Sequence, residues 1–297
     1  MKNSKNFNLF LMDGEVTGRI KCTLSNWTGV AYKIPRVHLD KCKDRQDLKQ
    51  SGVYFLFGKN DNEEDEVYIG QAGIRKNGDG VLVRVNEHLK DDFYFSDCVM
   101  LTTQNNSFVP TEISYLENKF TNMVIETDRF KVRNWNDPNP GHVTEEKESE
   151  LEDFIEYSKM VLGVLGYKIF VPLIEDKTQL DKTNQDDELI LFLSRTIRKT
   201  NRLIKAKCKR TNEGFVVLKD SMIEEMDSQA IPKSIKDLRE KIKNNNGIVN
   251  GKITKDYLFN SPSYAASFVL GMETNGRTNW KTENGVTLKD FEEDGFK

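Results

Sequence analysis

LKQSGVYFLFGKNDNEEDEVYIG, residues 48–70, sets two aromatic and β-branched runs on either side of a polar, acidic segment. Such runs favour strands and the segment between them a turn, so 48–58 and 66–70 read as an antiparallel hairpin. If the chain folds back near 61–62, Tyr54 and Tyr68 fall roughly opposite each other. Working outward, NLFLM, the turn residues Asp13 and Gly14, and GRIKCTLSNW form a strand pair ending at Ile34 and Pro35. This predicts a β-rich extension over 1–46. Downstream, VLVRVNEHL reads as a helix with Asp79 near its cap, CVMLTTQ (98–104) as a strand, and TEISYLENKFTNMVIE after Pro110 as a helix. The order β-β-α-β-α predicts an α+β domain over 47–142, a three-stranded antiparallel sheet flanked by helices.

Residues 143–204 read as mostly helical, with acidic starts and the apolar stretches MVLGVL and LILFLSRTI, and are expected to form a connector that packs on one or both domains. From 205 to 297 the texture changes to GFVVLKDS, a charged helical piece at 232–243, and a tail with the turn pairs Asn275-Gly276 and Asn284-Gly285, which predicts a second small α+β domain.

In the 297 residues, 44 Lys+Arg stand against 47 Asp+Glu, a formal charge of −3 that gives no hint of a polyanion partner. The charge is unevenly placed, however. Residues 61–66 hold five acids and 144–156 seven, whereas 195–210 hold Arg195, Arg198, Lys199, Arg202, Lys205, Lys207, Lys209 and Arg210 without one acid. Taken singly, each run is first a solvated face. Polyanion affinity depends on local charge, so the basic run is also a candidate nucleic-acid surface. The most apolar run, 160–174, is too short for a bilayer and carries Lys168, which predicts no membrane partner. Cys22, Cys42, Cys98 and Cys208 are scattered, as expected of a chain with neither a disulfide framework nor a zinc site, and a cytoplasmic location is expected.

Four further positions bear on chemistry. Arg84 and His88 lie one helical turn apart, flanking a stripe of Val81, Val85 and Leu89. In the helix after Pro110, Glu117 falls inside the stripe of Ile113, Leu116, Phe120 and Val124, where a carboxylate is costly unless a salt bridge or a divalent metal compensates it. Asn134 sits in VRNWNDPNPG, where ordinary turn chemistry is the simpler reading.

In combination, GVY (52–54), YIG (68–70), Arg84, His88, Glu117 and the late asparagine, Asn134 or Asn136, resemble the GIY-YIG endonuclease superfamily over about ninety residues. GFVVLKDS (214–221), SPSYAASFVLG (261–271) and NGRTNWKTENGVTL (275–288) look like the domain of unknown function that often follows such a module, with Asp220 in place of a Gly and Arg277 in place of an aromatic. The resemblance implies metal-dependent hydrolysis of phosphodiester bonds, DNA being the first expectation. Tyr54, assisted by Tyr68, would position and deprotonate water, provided nearby cations favour the phenolate. Arg84 would stabilise phosphoryl charge, His88 would move a proton or touch phosphate, and Glu117 would hold one Mg²⁺ or Mn²⁺. Asn134 would order the site. The competing expectations are an inactive nucleic-acid-binding module and an RNA-directed nuclease of a toxin or defence system. Trp280 and Phe268 read as core residues before they read as base-stacking ones.

Overall fold

The computed structural model describes residues 4–74, 80–134, 139–174 and 189–294, which form two compact units, Met1–Pro172 and Leu173–Lys297. Both mix helix and sheet. The expected cap Asp79 lies outside the described residues.

The first unit is built on β1 (Phe7–Leu11), β2 (Ile20–Leu24), β3 (Gly29–Pro35), β4 (Gly52–Lys59), β5 (Asp65–Ala72), α1 (Val81–Glu87), β6 (Phe95–Thr103), α2 (Pro110–Thr127), β7 (Lys131–Val132) and α3 (Glu145–Val164). Its strands make one sheet in the order β1-β2-β3-β6-β4-β5-β7. The expected three strands are its contiguous run β6-β4-β5, and the sheet has seven because the amino-terminal strands join it through β3 and β6 and β7 adds to β5. Period-2 alternation sorts the side chains. Cys22, Ala31, Phe55, Ile69 and Leu101 face α2 and α3, which bury Ile113, Leu116, Phe120, Leu151 and Phe154 against them. Tyr32, Tyr54, Leu56, Cys98 and Met100 occupy the other face, covered by Val81, Leu82 and Val85 of α1 and by Leu39, Cys42 and Leu48 of short 3₁₀ turns.

The acidic runs have structural partners. Glu64 pairs with Lys131, and Glu66 with Arg133 at 3.1 Å, which fastens β7 along β5. Glu145, Glu146 and Glu148 occupy the first turn of α3, where carboxylates complement the helix dipole.

Hairpin register departs from the expectation. Tyr54 stands opposite Gly70, and Tyr68 opposite Leu56. The loop explains the offset: the Asn60 side-chain oxygen accepts from the Asn62 and Glu64 amides, and Glu63 takes a left-handed φ of 59°, which centres the turn on residue 62. The tyrosines are diagonal neighbours on one face, with ring centroids 6.1 Å apart. The end of α1 also differs. The helix tightens into a 3₁₀ turn at His88–Lys90, which buries His88 and leaves Leu89 exposed, reversing their expected places.

The second unit contains β8 (Ile190–Ile197), β9 (Arg202–Thr211), β10 (Gly214–Val217), α4 (Lys233–Asn244), β11 (Ile248–Val249), β12 (Lys252–Ile253), β13 (Tyr257–Phe259), α5 (Pro262–Leu270), α6 (Gly276–Asn279) and α7 (Leu288–Asp294). The helical reading of 143–204 holds for α3 and fails for 190–204, which pair with β9 as a hairpin in the sheet β13-β10-β9-β8. Of the expected connector, α3 packs into the first unit's core. Ser261 caps α5 by accepting from the Tyr264 amide at 3.1 Å, with Pro262 in the first turn. Trp280 and Phe268 are fully buried beside Cys208 and Ile204.

Candidate active site

Five of the six positions singled out in the first unit gather around the carboxyl-terminal half of β5, and the sixth braces that strand. Tyr68 and Gly70 point to the α1 side of the sheet, while the intervening parity sends Gln71 to the α2 side. Beyond Val67 the outer edge of β5 has no strand partner among the described residues. The phenols and Glu117 therefore approach that edge from opposite faces.

On the α1 side, the Tyr54 hydroxyl and His88 Nε2 are 2.8 Å apart, and His88 Nδ1 is 2.6 Å from Asp91 Oδ2. An ionised Asp91 can only accept, so Nδ1 carries a proton and, in the neutral imidazole, Nε2 accepts from the phenol. The Tyr68 ring packs 4.7 Å from the imidazole, and both residues line a cavity of about 400 Å³ together with Lys90, Phe93 and Arg133. Burial holds the Tyr54 phenol far above its ordinary pKa and the charge of Tyr68 adds to this, against the opposing pull of Arg84. Tyr68 is likewise raised by burial, with Arg84 opposing. The expectation that cations would favour a phenolate is thus corrected: desolvation outweighs Arg84, whose guanidinium is also engaged by Glu87 at 2.7 Å. Asp91, absent from the expected set, is the residue that orients His88. Its spacing, three after a histidine at a helix end, was the available signal.

On the α2 side, Glu117 Oε2 accepts from Gln71 Nε2 at 2.9 Å, and the same amide bonds Ser114 Oγ. Burial raises the Glu117 carboxyl above its usual range, with Gln71 and Arg84 opposing. No cluster of three or more His, Cys, Asp or Glu side chains converges anywhere among the described residues. A metal that demands a full protein cage therefore does not fit. A hard cation that takes one carboxylate and completes its shell with phosphate oxygens and water does.

Asn134 places both ends of its amide on one backbone unit, accepting from the Ile69 amide at 3.1 Å and donating to its carbonyl at 2.7 Å. Its side chain thereby continues the short β5–β7 ladder and fixes the strand between Tyr68 and Gly70, which is an ordering role. Asn136 lies outside the described residues.

The two motif glycines have steric reasons. A Cβ on Gly52 would press into the Leu101 carbonyl, and one on Gly70 would overlap the Tyr54 hydroxyl and lie 2.9 Å from Tyr68 Cε1. Gly70→Ala is expected to push Tyr54 off His88 and to cost about 1–3 kcal/mol of stability, measured by urea unfolding. A variant as stable as wild type would show that the phenol has room to move.

The basic run belongs to the second unit, on β8, β9 and their turn. Ile204, Ala206 and Cys208 face its core, so Lys205 and Lys207 project from the other side of β9, both exposed, while Lys209 on that side is buried. Arg195 donates to Thr274 and Asn279, both at 3.3 Å, and lines with Arg198, Lys199 and Glu224 a cavity of about 530 Å³. Arg202 faces Glu225 at 3.4 Å, and Arg210 faces Glu292 at 3.9 Å. The eight cations thus do not form one uniform surface.

Asp220 holds a left-handed φ of 65°, a conformation glycine adopts without cost and aspartate tolerates, which accounts for the exchange at that position. Arg277 pairs with Glu292 at 3.0 Å. Searches of curated proteins and of solved structures give no match to this chain. Residues 197–292 match a domain of unknown function (DUF4357), so that the family's domain begins at the end of β8 and takes in β9, β10 and the helices that follow.

Proposed function

We propose that the first unit is a metal-dependent endonuclease of the GIY-YIG type acting on DNA. The observation that carries this reading is the chain Tyr54–His88–Asp91, with bonds of 2.8 and 2.6 Å, set beside Arg84 and Glu117. A phenol kept protonated by burial is a poor base alone, but one that already donates to an imidazole can pass its proton on as it accepts another. In the proposed step, a water proton moves to the Tyr54 oxygen while the Tyr54 proton moves to His88 Nε2, and Asp91 steadies the resulting imidazolium. The water oxygen bonds to phosphorus, the opposite P–O bond breaks, and the departing oxygen takes a proton from solvent. Arg84 faces the charge that develops on the phosphoryl oxygens. Mg²⁺ or Mn²⁺ held by Glu117 would supply Lewis-acid polarisation of the phosphate.

The test is cleavage of single-stranded DNA, duplex DNA and RNA with Mg²⁺, with Mn²⁺ and with chelator. Metal-dependent products from either DNA substrate are expected. Products from RNA alone would move the substrate class, and none from any polymer would remove the activity.

The second unit is proposed to hold the polymer by phosphate contacts on Lys205 and Lys207. Lys205→Glu with Lys207→Glu should weaken DNA binding and reduce the slope of log affinity against log salt by ~2. An unchanged slope would show that these lysines face elsewhere.

A further inference from the structure

The sheet face that carries Tyr54 does not end at the active site. Tyr54 pairs with Met100 of β6, Met100 with Tyr32 of β3, Tyr32 with Lys21 of β2, and Lys21 with Phe10 of β1. Side chains directly opposite share a face, so this row crosses from the phenol to the far edge of the sheet. Where α1 and the 3₁₀ turns stop covering it, the face opens into a cavity of about 790 Å³ on β1, β2, β3 and β6.

The chemistry of this cavity is specific. Thr102, only 1% exposed, has its hydroxyl without a hydrogen-bond partner, and so does the buried side-chain oxygen of Gln50; both residues line the cavity. A buried polar atom left unpaired is costly, and a ligand that supplies the missing bonds removes that cost. Asn6, Asn8 and Thr23 add neutral donors and acceptors at the wall. The one lining cation, Lys21, faces Asp47 at 3.9 Å and lies over the Tyr32 ring, so the cavity does not present the concentrated positive charge that a phosphate needs. Phe10, 60% exposed, offers an aromatic face at the rim. Neutral hydrogen-bonding edges beside an unoccupied aromatic face are the complement of a nucleobase.

We infer that this cavity is a base-binding subsite, which takes an unpaired nucleobase of the strand whose phosphate lies at Tyr54. The inference rests on the nuclease reading for the choice of a polynucleotide, and its own content is the base contact. Thr102 lies two residues along β6 from Met100, the partner of Tyr54, ~7 Å of strand, so the cavity wall and the phenol belong to one face of neighbouring strands.

The experiment measures binding of a short fluorescent single-stranded DNA and of its duplex by the full chain in chelator, where no cleavage occurs. The wild-type protein should prefer the single strand. Phe10→Ala, which removes the stacking surface, and Thr102→Val, which removes the orphaned hydroxyl at constant shape, should each weaken single-strand binding about tenfold without lowering the melting temperature. Equal single-strand affinity in wild type and both variants overturns the subsite, as does displacement of the strand by inorganic phosphate as readily as by a mononucleotide. Cleavage is scored separately with Mg²⁺. A wild type that cleaves but whose variants bind normally loses the subsite and keeps the nuclease; variant-sensitive binding without cleavage keeps the subsite and loses the nuclease.

Discussion

Glu117→Gln is expected to lower metal-dependent cleavage about a thousandfold and, in the same protein, to raise the melting temperature. The loss follows from removing the carboxylate proposed to hold the cation, and several kcal/mol of transition-state stabilisation corresponds to ~10³ in rate. The gain follows from the sign of the pKa shift. Burial raises the Glu117 carboxyl above its unfolded value, so the folded state prefers the protonated form. Its contribution to stability is fully present below the unfolded pKa and is lost as pH rises through the folded one, which leaves a net cost at neutral pH. Glutamine keeps the shape and an oxygen for Gln71 and removes that cost. The difference in melting temperature between variant and wild type should therefore shrink as pH is lowered, measured by thermal unfolding at several pH values. The same shift makes protons compete with the metal above the ordinary carboxylate range, so the acid limb of wild-type cleavage should be displaced upward. A variant less stable than wild type at neutral pH would show that Glu117 holds the fold together.

Tyr54→Phe is expected to reduce cleavage by roughly 10²–10³, within the range of a lost proton-transfer group. The substitution leaves the ring stacked on Tyr68 and takes away the partner of His88 Nε2. An unpaired polar atom in this buried setting costs about 1–3 kcal/mol, so stability should fall with activity. Tyr68→Phe separates the roles. Tyr68 lines the cavity beside His88, and if it only orders water its loss should be smaller than that of Tyr54. Equal losses in both variants would mean that the phenols share the proton-transfer role.

The hairpin and its two tyrosines were legible because aromatic runs alternate on either side of a polar loop, and the Ile113, Leu116, Phe120 and Val124 stripe was legible because 3.6 periodicity is unbroken across α2. Register was not, since it depends on one asparagine side chain closing the loop. The orientation of His88 was hidden for a similar reason: a helix that tightens by one turn rotates its last side chains inward, and spacing arithmetic assumes a regular helix to the end. For 190–211 the decisive pattern was the alternation Ile204, Ala206, Cys208 against Lys205, Lys207 and Lys209, which is strand periodicity. Reading the long basic run for its charge obscured it. The cavity above β1–β3 depends on contacts between segments far apart in the sequence.

The position of β6 between β3 and β4 has a kinetic consequence. The β1–β2 and β4–β5 ladders close over short loops, whereas the β3–β6 ladder joins Gly29 to Thr103 and must wait for a long loop to close. The tyrosine hairpin can therefore form before the amino-terminal strands dock, and until they do β6 presents a bare apolar edge through Val99, Met100 and Leu101. Expression at high temperature should expose that intermediate as aggregate, and a domain cut to 47–142 would make the exposed edge permanent. The amino-terminal strands thus act as a guard on the edge of β6 as well as a wall of the proposed base site.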